Sequence, residues 1–180
     1  MFSFQIDDEL KLVLPLERDA EEIYTVVREN LEQLKLWMPW ADDDYSVDSA
    51  REYIRGNLSE FATTGSFSTS IVLNEKIVGA VGFHHLDTTN KSAHLGYWLA
   101  KSAQGNGLMT RCSRALIDYL FEEMQLNRVQ INCSALNTKS RAIAERLDFR
   151  LEGIHRQAGF ENNSFTDWVI YAMLRENWRR

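Results

Sequence analysis

The stretch Ser92-Ala93-His94-Leu95-Gly96-Tyr97-Trp98-Leu99, followed after a short gap by Gln104-Gly105-Asn106-Gly107-Leu108-Met109-Thr110, decides how the chain is read. The first half has the character of a β-strand. The second half puts two glycines directly ahead of a segment in which Leu108, Cys112, Ala115, Leu116, Tyr119 and Leu120 recur at helical spacing. A strand, a glycine loop and a helix start form an anion receiver. Glycine lets the backbone come close, and the free N–H groups and dipole of the helix draw negative charge. The segment therefore reads as a pyrophosphate site. Gly-x-Gly alone also occurs in plain turns, so the alternatives matter. A dinucleotide fingerprint requires a third glycine where this chain has Thr110, and a βαβ unit rather than an antiparallel meander before it. A phosphate loop of the Gly-Lys-Ser/Thr type is absent.

Working outward, Leu10 to Leu16 reads as a strand ending near Pro15. Asp19 with Glu22 resembles a capping box, and Ile23, Val26, Val27, Leu31 and Leu34 continue as a helix that Pro39 breaks. Ser46 is placed to cap a second helix with Val47, Ala50, Ile54, Leu58 and Phe61 on one face, ended at Gly65. Phe67 to Leu73 and Lys76 to Phe83 flank a hairpin turn at Asn74-Glu75. Asp87 to Asn90 is a further turn before the Ser92 strand. Arg128 to Cys133 alternates as a strand, and Thr138 to Leu147 is a short helix. Phe149 to His155 and Phe165 to Met173 close the chain as a hairpin around Glu161-Asn162-Asn163, ahead of a polar tail from Arg175 to Arg180. The order β-α-α-β-β-β-α-β-α-β-β is that of an α/β domain with a mixed central sheet flanked by helices, spanning residues 1–180 as one unit.

Composition sets the outer bounds. The 180 residues are 44% apolar and 26% charged, ordinary for a globular domain. Twenty basic against 26 acidic side chains leave a formal charge of −6, which argues against a general nucleic-acid binder. The longest apolar run, Ile77 to Phe83, falls far short of the ~20 residues of a membrane helix. The first residues lack the basic and apolar regions of a secretion signal, so a soluble cytoplasmic protein without membrane contact is expected. Cys112 and Cys133 sit in apolar-periodic segments without metal-ligand spacing and read as reduced core thiols, with no metal expected.

Gln-x-x-Gly-x-(Gly/Ala) after a strand resembles the acetyl-CoA loop of the GNAT N-acetyltransferases, and this chain departs from it at the last small position, which holds Met109. The resemblance extends through Leu36-Trp37-Met38-Pro39-Trp40, Leu126-Asn127-Arg128-Val129, Asn137-Thr138-Lys139-Ser140-Arg141-Ala142 and Leu147-Asp148-Phe149-Arg150-Leu151-Glu152-Gly153. Together with His94-Leu95-Gly96-Tyr97-Trp98-Leu99, these segments look like the RimJ/RimL branch, which acetylates the N-termini of ribosomal proteins. The resemblance implies splayed strands holding acetyl-CoA as co-substrate. Gln104, Gly105, Asn106, Gly107, Leu108, Met109 and Thr110 would form its pyrophosphate loop. The pantetheine arm would pair with Trp98, Leu99 and Ala100 and bond to Asn137, with Ser140 near the thioester sulfur. Gly96 would mark a bulge. A homodimer is the family-level expectation.

The same resemblance frames the chemistry. Acyl transfer to an amine needs a proton acceptor for the amine, a donor for the carbonyl and a proton for the leaving thiolate. Many GNATs carry Glu where this chain has His94, and Tyr where it has Ala144. Ser140 then stands as the replacement acid, although a first-turn hydroxyl also fits a purely structural role. His94 and His84 are the candidate bases, each equally readable as a surface or hydrogen-bonded histidine. His84 and His85, adjacent in a strand, are expected on opposite faces, with at most one in the cleft. Trp40 lines either the core or the acceptor groove, where His84 would also reach. The Asp42-Asp43-Asp44 run is a solvated loop that would also attract a cationic acceptor. Three functions stay open: acetylation of a protein N-terminal amine, acetylation of a small amine, and a non-catalytic acyl-CoA sensor.

Overall fold

A computed structural model describes residues 3–161 and 163–178. Asn162, in the expected closing turn, lies outside the described residues, as do Arg179 and Arg180 of the polar tail and Met1 and Phe2. The strands are β1 (Ser3–Gln5), β2 (Leu10–Val13), β3 (Phe67–Leu73), β4 (Lys76–Asp87), β5 (Ser92–Leu99), β6 (Arg128–Ser134), β7 (Arg150–Glu161) and β8 (Ser164–Leu174). The helices are α1 (Ala20–Glu29), α2 (Leu31–Leu34), α3 (Val47–Thr64), α4 (Leu108–Glu122) and α5 (Thr138–Arg146). The strands form one mixed sheet in the order β1-β2-β3-β4-β5-β6-β8-β7. Every neighbouring pair is antiparallel except β5–β6, which is parallel.

Alternation along the strands sends side chains to two layers. Val81, Phe83, Leu95, Val129 and Ile131 pack with Leu108, Cys112, Leu116, Ile117 and Leu120 of α4. On the opposite face Val72 and Ile77 meet Ile23, Val27, Ala50 and Ile54 of α1 and α3. Burying such side chains contributes roughly 1.5–3 kcal/mol each relative to leaving them in water. Among the described residues no helix is long and apolar enough to cross a membrane.

Local signals set several boundaries. Ser46 accepts from the Ser49 N–H at 3.2 Å and starts α3, and Gly65, at φ +85°, ends it. Asn74 and Glu75 both take positive φ, 47° and 62°, as a two-residue hairpin of the primed type requires.

Four expectations need correction. A strand precedes Leu10: β1 pairs with β2, but it is only three exposed residues long and carries no alternation to read. Asp19 and Glu22 do not form a capping box. The Asp19 carboxylate accepts from Leu16 N–H at 2.8 Å, and Glu22 accepts from Ile77 N–H at 2.7 Å, tying α1 to β4. The first helix breaks at Asn30, well ahead of Pro39. The Asn30 amide donates back to the Val26 carbonyl while its oxygen accepts from Lys101 N–H. Finally, Gly96 is not at a bulge. It pairs in register with Gly82, and the irregularity of β4–β5 falls between His84 and Asp87.

Candidate active site

β5 and β6 pair only over Ser92–His94 and then part. The opening faces the loop that precedes α4. Gly105 and Gly107 take φ +89° and +69°, in the left-handed region, and a Cβ at either would meet nothing within 4 Å. Gly107 is the N-cap of a 15-residue helix with no side-chain cap and no acidic residue in its first turn. The N–H groups at that end are therefore free to receive an anion. Leu108 and Met109 are buried, so only their backbone faces the loop. Arg146 donates to the Thr110 hydroxyl at 3.2 Å and Lys139 to the Gln104 side-chain Oε1 at 2.7 Å, which adds positive charge around the cradle. The residues fit a pyrophosphate.

Not every predicted cofactor residue presents a free group. The Gln104 amide donates to the Leu99 carbonyl at 3.0 Å, and Gln33 donates to the same carbonyl at 3.1 Å. The Ala100 N–H bonds to Val78 of β4. Because peptide groups alternate along a strand, Leu99 is the one whose backbone turns toward the opening. Asn137 caps α5, its oxygen accepting from Ser140 N–H at 3.1 Å.

Ser140 stands in the first turn of α5 with its hydroxyl 3.1 Å from that of Tyr97 on β5. Burial pushes the Tyr97 phenol well above its ordinary range, so it remains a donor near neutral pH. Burial likewise raises the Cys133 thiol on β6, and the Ser140 hydroxyl that bonds to it offsets this in part. Three groups from three elements converge beside the opening. Ala144, where the resemblance puts a tyrosine in other members, is fully buried.

The third part of the site is histidine-rich. His84 and His94 are cross-strand partners. The expectation that His84 and His85 face opposite sides is overturned. His85 takes φ +51° at the irregularity, and its ring swings beside the other two. The ring centroids lie 4.9 Å (84–85), 5.8 Å (84–94) and 5.1 Å (85–94) apart. Gly96 makes room for this, since a Cβ there would stand 3.2 Å from the His84 ring. Burial, then the neighbouring imidazoles, hold His84 down to about 4. Burial, then His85 and Arg128, lower His94 too. Asn132 lies 3.4 Å from His94 Nδ1, at the end of a polar row with Gln130 and Arg128 on one face of β6.

His84 opens into a cavity of about 710 Å³ between α1, α3 and the sheet. Trp40, Tyr45, Tyr53 and Trp98 give it aromatic walls, and Asp42, Glu52 and Glu60 give it carboxylates. Trp40 leans on Trp98 at 6.3 Å and on Tyr45 at 5.8 Å and is 43% exposed, so it lines the cavity and is not a core residue. Among the described residues, neither lysine nor arginine lines the cavity. In the acidic run, Asp43 pairs with Lys35 while Asp42 reaches the cavity.

Residues 9–150 match the family model of the acetyltransferase (GNAT) domain. The chain belongs to the GNAT family. It is an acyltransferase of the N-acetyltransferase type. The Bacillus subtilis protein YdaF, named for a ribosomal N-acetyltransferase activity, is 33% identical over 99% of this chain and 98% of its own length. Among solved structures, the RimL ribosomal L7/L12 α-N-protein acetyltransferase, joined to coenzyme A through a cysteine disulfide, is 26% identical. It covers 96% of this chain and 98% of its own, at a TM-score of 0.92. The microcin C7 self-immunity acetyltransferase MccE, in complex with acetyl-CoA and AMP, is 29% identical over 94% of each chain, at a TM-score of 0.89.

Within this GNAT chain, two site groups escape sequence reasoning. Tyr97 reaches Ser140 across 43 positions, and Cys133 reads as a core thiol because it shares the buried face of Val129 and Ile131. The only local hint for Cys133 is its place at the end of the strand that leaves β5.

Proposed function

We propose that this chain transfers the acetyl group of acetyl-CoA directly to the N-terminal α-amine of a ribosomal protein. The observation that carries the reading is a cavity lined by three carboxylates and, among the described residues, by neither lysine nor arginine, beside a loop that fits an anion. The carboxylates favour a protonated amine on one side. The α4 N-terminus favours a pyrophosphate on the other. The ribosomal acceptor is supported by the names of the full-length relatives.

When bound, acetyl-CoA supplies the thioester carbonyl that the amine attacks. The residues of the chain then divide the proton traffic. His94, neutral near pH 7, takes a proton from the amine directly or through water. At about 4, His84 is too weak a base for this and orients the amine instead. As the C–N bond forms and the C–S bond breaks, the Ser140 hydroxyl passes its proton to the departing sulfur and regains one from solvent, to which His94 returns the amine proton, while the Tyr97 hydroxyl donates to the serine oxygen. Gly96, which lines the cavity, has no side chain and leaves the space that the His84 ring takes.

Incubating the enzyme and labelled acetyl-CoA with ribosomes lacking N-terminal acetylation should label one small protein at its α-amine. Turnover of free amines with no label on ribosomes would overturn the protein acceptor. That outcome would favour a small-molecule amine such as a polyamine, amino sugar or peptide, the second reading, which the similarity to MccE, a self-immunity acetyltransferase solved with acetyl-CoA and AMP, supports.

A covalent readout tests the position of the sulfur. Treatment with coenzyme A disulfide should give a single coenzyme A adduct by intact mass, lost in Cys133→Ser and kept in Cys112→Ser. Thiol–disulfide exchange needs thiolate and access. Cys112 is fully buried with its thiol pushed up to about 12, so it should stay inert. An adduct on Cys112, or none at all, would remove Cys133 from the site.

A further inference from the structure

We propose that His84, His85 and His94 form a binding site for a divalent transition-metal ion, Zn²⁺ in the first instance, and that the ion shuts off the acceptor side of the cleft. One ring nitrogen from each of the three lies within 4.8 Å of the others. A tetrahedral zinc with Zn–N of about 2.0–2.1 Å needs its nitrogens about 3.4 Å apart. Small rotations of the two exposed rings, His84 and His85, close that difference.

The backbone assembles this set in a specific way. Adjacent strand residues ordinarily point to opposite faces. Here the left-handed φ of His85 cancels the alternation, and a non-glycine residue in that region is an uncommon conformation that clusters at functional sites. The donor set is three imidazoles and no carboxylate. That favours Zn²⁺, Cu²⁺ or Ni²⁺ over Mg²⁺ and Ca²⁺, which take oxygen ligands. A fourth position stays open to water. The Asn132 amide nitrogen stands 3.4 Å from His94 Nδ1, and a half-turn of that amide would present its oxygen to an Nδ1–H once Nε2 binds the ion and so orient the ring. His84 lines the acceptor cavity, so a bound ion removes the lone pairs of His84 and His94 from the amine. This second half rests on the acceptor reading above; the binding half does not.

Metal-free full-length protein is titrated with Zn²⁺ against a chromophoric chelator, with neither acetyl-CoA nor acceptor present. The expected result is one equivalent bound, lost in His85→Asn and His94→Asn and retained in Cys112→Ser and Cys133→Ser. Co²⁺ should give the visible bands of a low-coordinate site in the wild type and the two cysteine variants, and not in His85→Asn or His94→Asn. Unchanged thermal melting of metal-free His85→Asn, with His85→Gln as a second variant, separates loss of a ligand from loss of the fold. No stoichiometric binding, binding that survives in His85→Asn, or binding that follows a cysteine would overturn the site. In the activity arm Zn²⁺ should inhibit acetyl transfer by the wild type, reversibly with EDTA, and leave His85→Asn unaffected. Binding without inhibition would overturn the link to the cleft and leave the metal site standing.

Discussion

Ser140→Ala should lower kcat for acetyl transfer by roughly 100-fold, at the lower end of what a positioned general acid contributes. The KM values for acetyl-CoA and acceptor should stay within about twofold, because the Ser140 hydroxyl acts on charge that appears only as the C–S bond breaks. The helix start is held by Asn137 through the Ser140 backbone N–H, which alanine keeps, so the fold should be indifferent. Tyr97→Phe removes the neighbouring hydroxyl and should cost roughly five- to tenfold, about one hydrogen bond's worth. The double variant should fall no further than Ser140→Ala alone, since the phenol acts through the serine. Steady-state kinetics with saturating acceptor checks all three. A Ser140→Ala enzyme within threefold of wild type would show that a group elsewhere protonates the sulfur.

The second large effect concerns stability. Gly82→Ala would place a methyl 2.5 Å from Ser68 Cα and 2.6 Å from the Phe67 carbonyl oxygen, both backbone atoms of β3. No rotamer relieves such a contact, so β3 and β4 must separate. Overpacking of this kind costs typically 1–3 kcal/mol, and the backbone obstacle puts this case near 3. For a domain of this size that is a fall in Tm of about 6–12 °C. Gly56 is the control. It lies inside α3, where a Cβ would meet nothing within 4 Å. Gly56→Ala should therefore add about 0.5–1 kcal/mol by removing freedom from the unfolded chain. Calorimetry of the pair must give opposite signs. Equal shifts would mean that the approach of β3 to Gly82 is wrong.

These two predictions differ in how far they can be read from the chain itself. The glycine loop and the helix start after it are legible because they are local. Gly105, Gly107 and the helix after them are contiguous, and the physics of a helix start acts over one turn. The two main helix layers and the Asn74-Glu75 hairpin were legible for the same reason, through periodicity and turn chemistry. Contacts that join distant segments were not. Nothing near Asp19 or Glu22 announces that their carboxylates serve Leu16 and Ile77, and nothing near Asn30 announces Lys101. The faces of His84 and His85 were misread for a subtler reason. Strict alternation holds only while the ladder is regular, and one left-handed residue inverts it. That irregularity is set by the long β4–β5 pairing and the turn beyond it, where Asp87 accepts from Asn90 N–H at 2.8 Å.

The brief contact between β5 and β6 has a mechanical meaning. Three parallel positions, Ser92 to His94, are the rungs that join five strands on one side to three on the other. Ahead of them the Asn127 and Arg128 N–H groups still donate to the Lys91 carbonyl, whereas past His94 the ladder between the two strands ends. The seam is the natural place for the molecule to open in part, with a free energy below that of global unfolding. A ligand lodged in it ties two cooperative blocks into one, so occupancy should stiffen residues far from any atom the ligand touches.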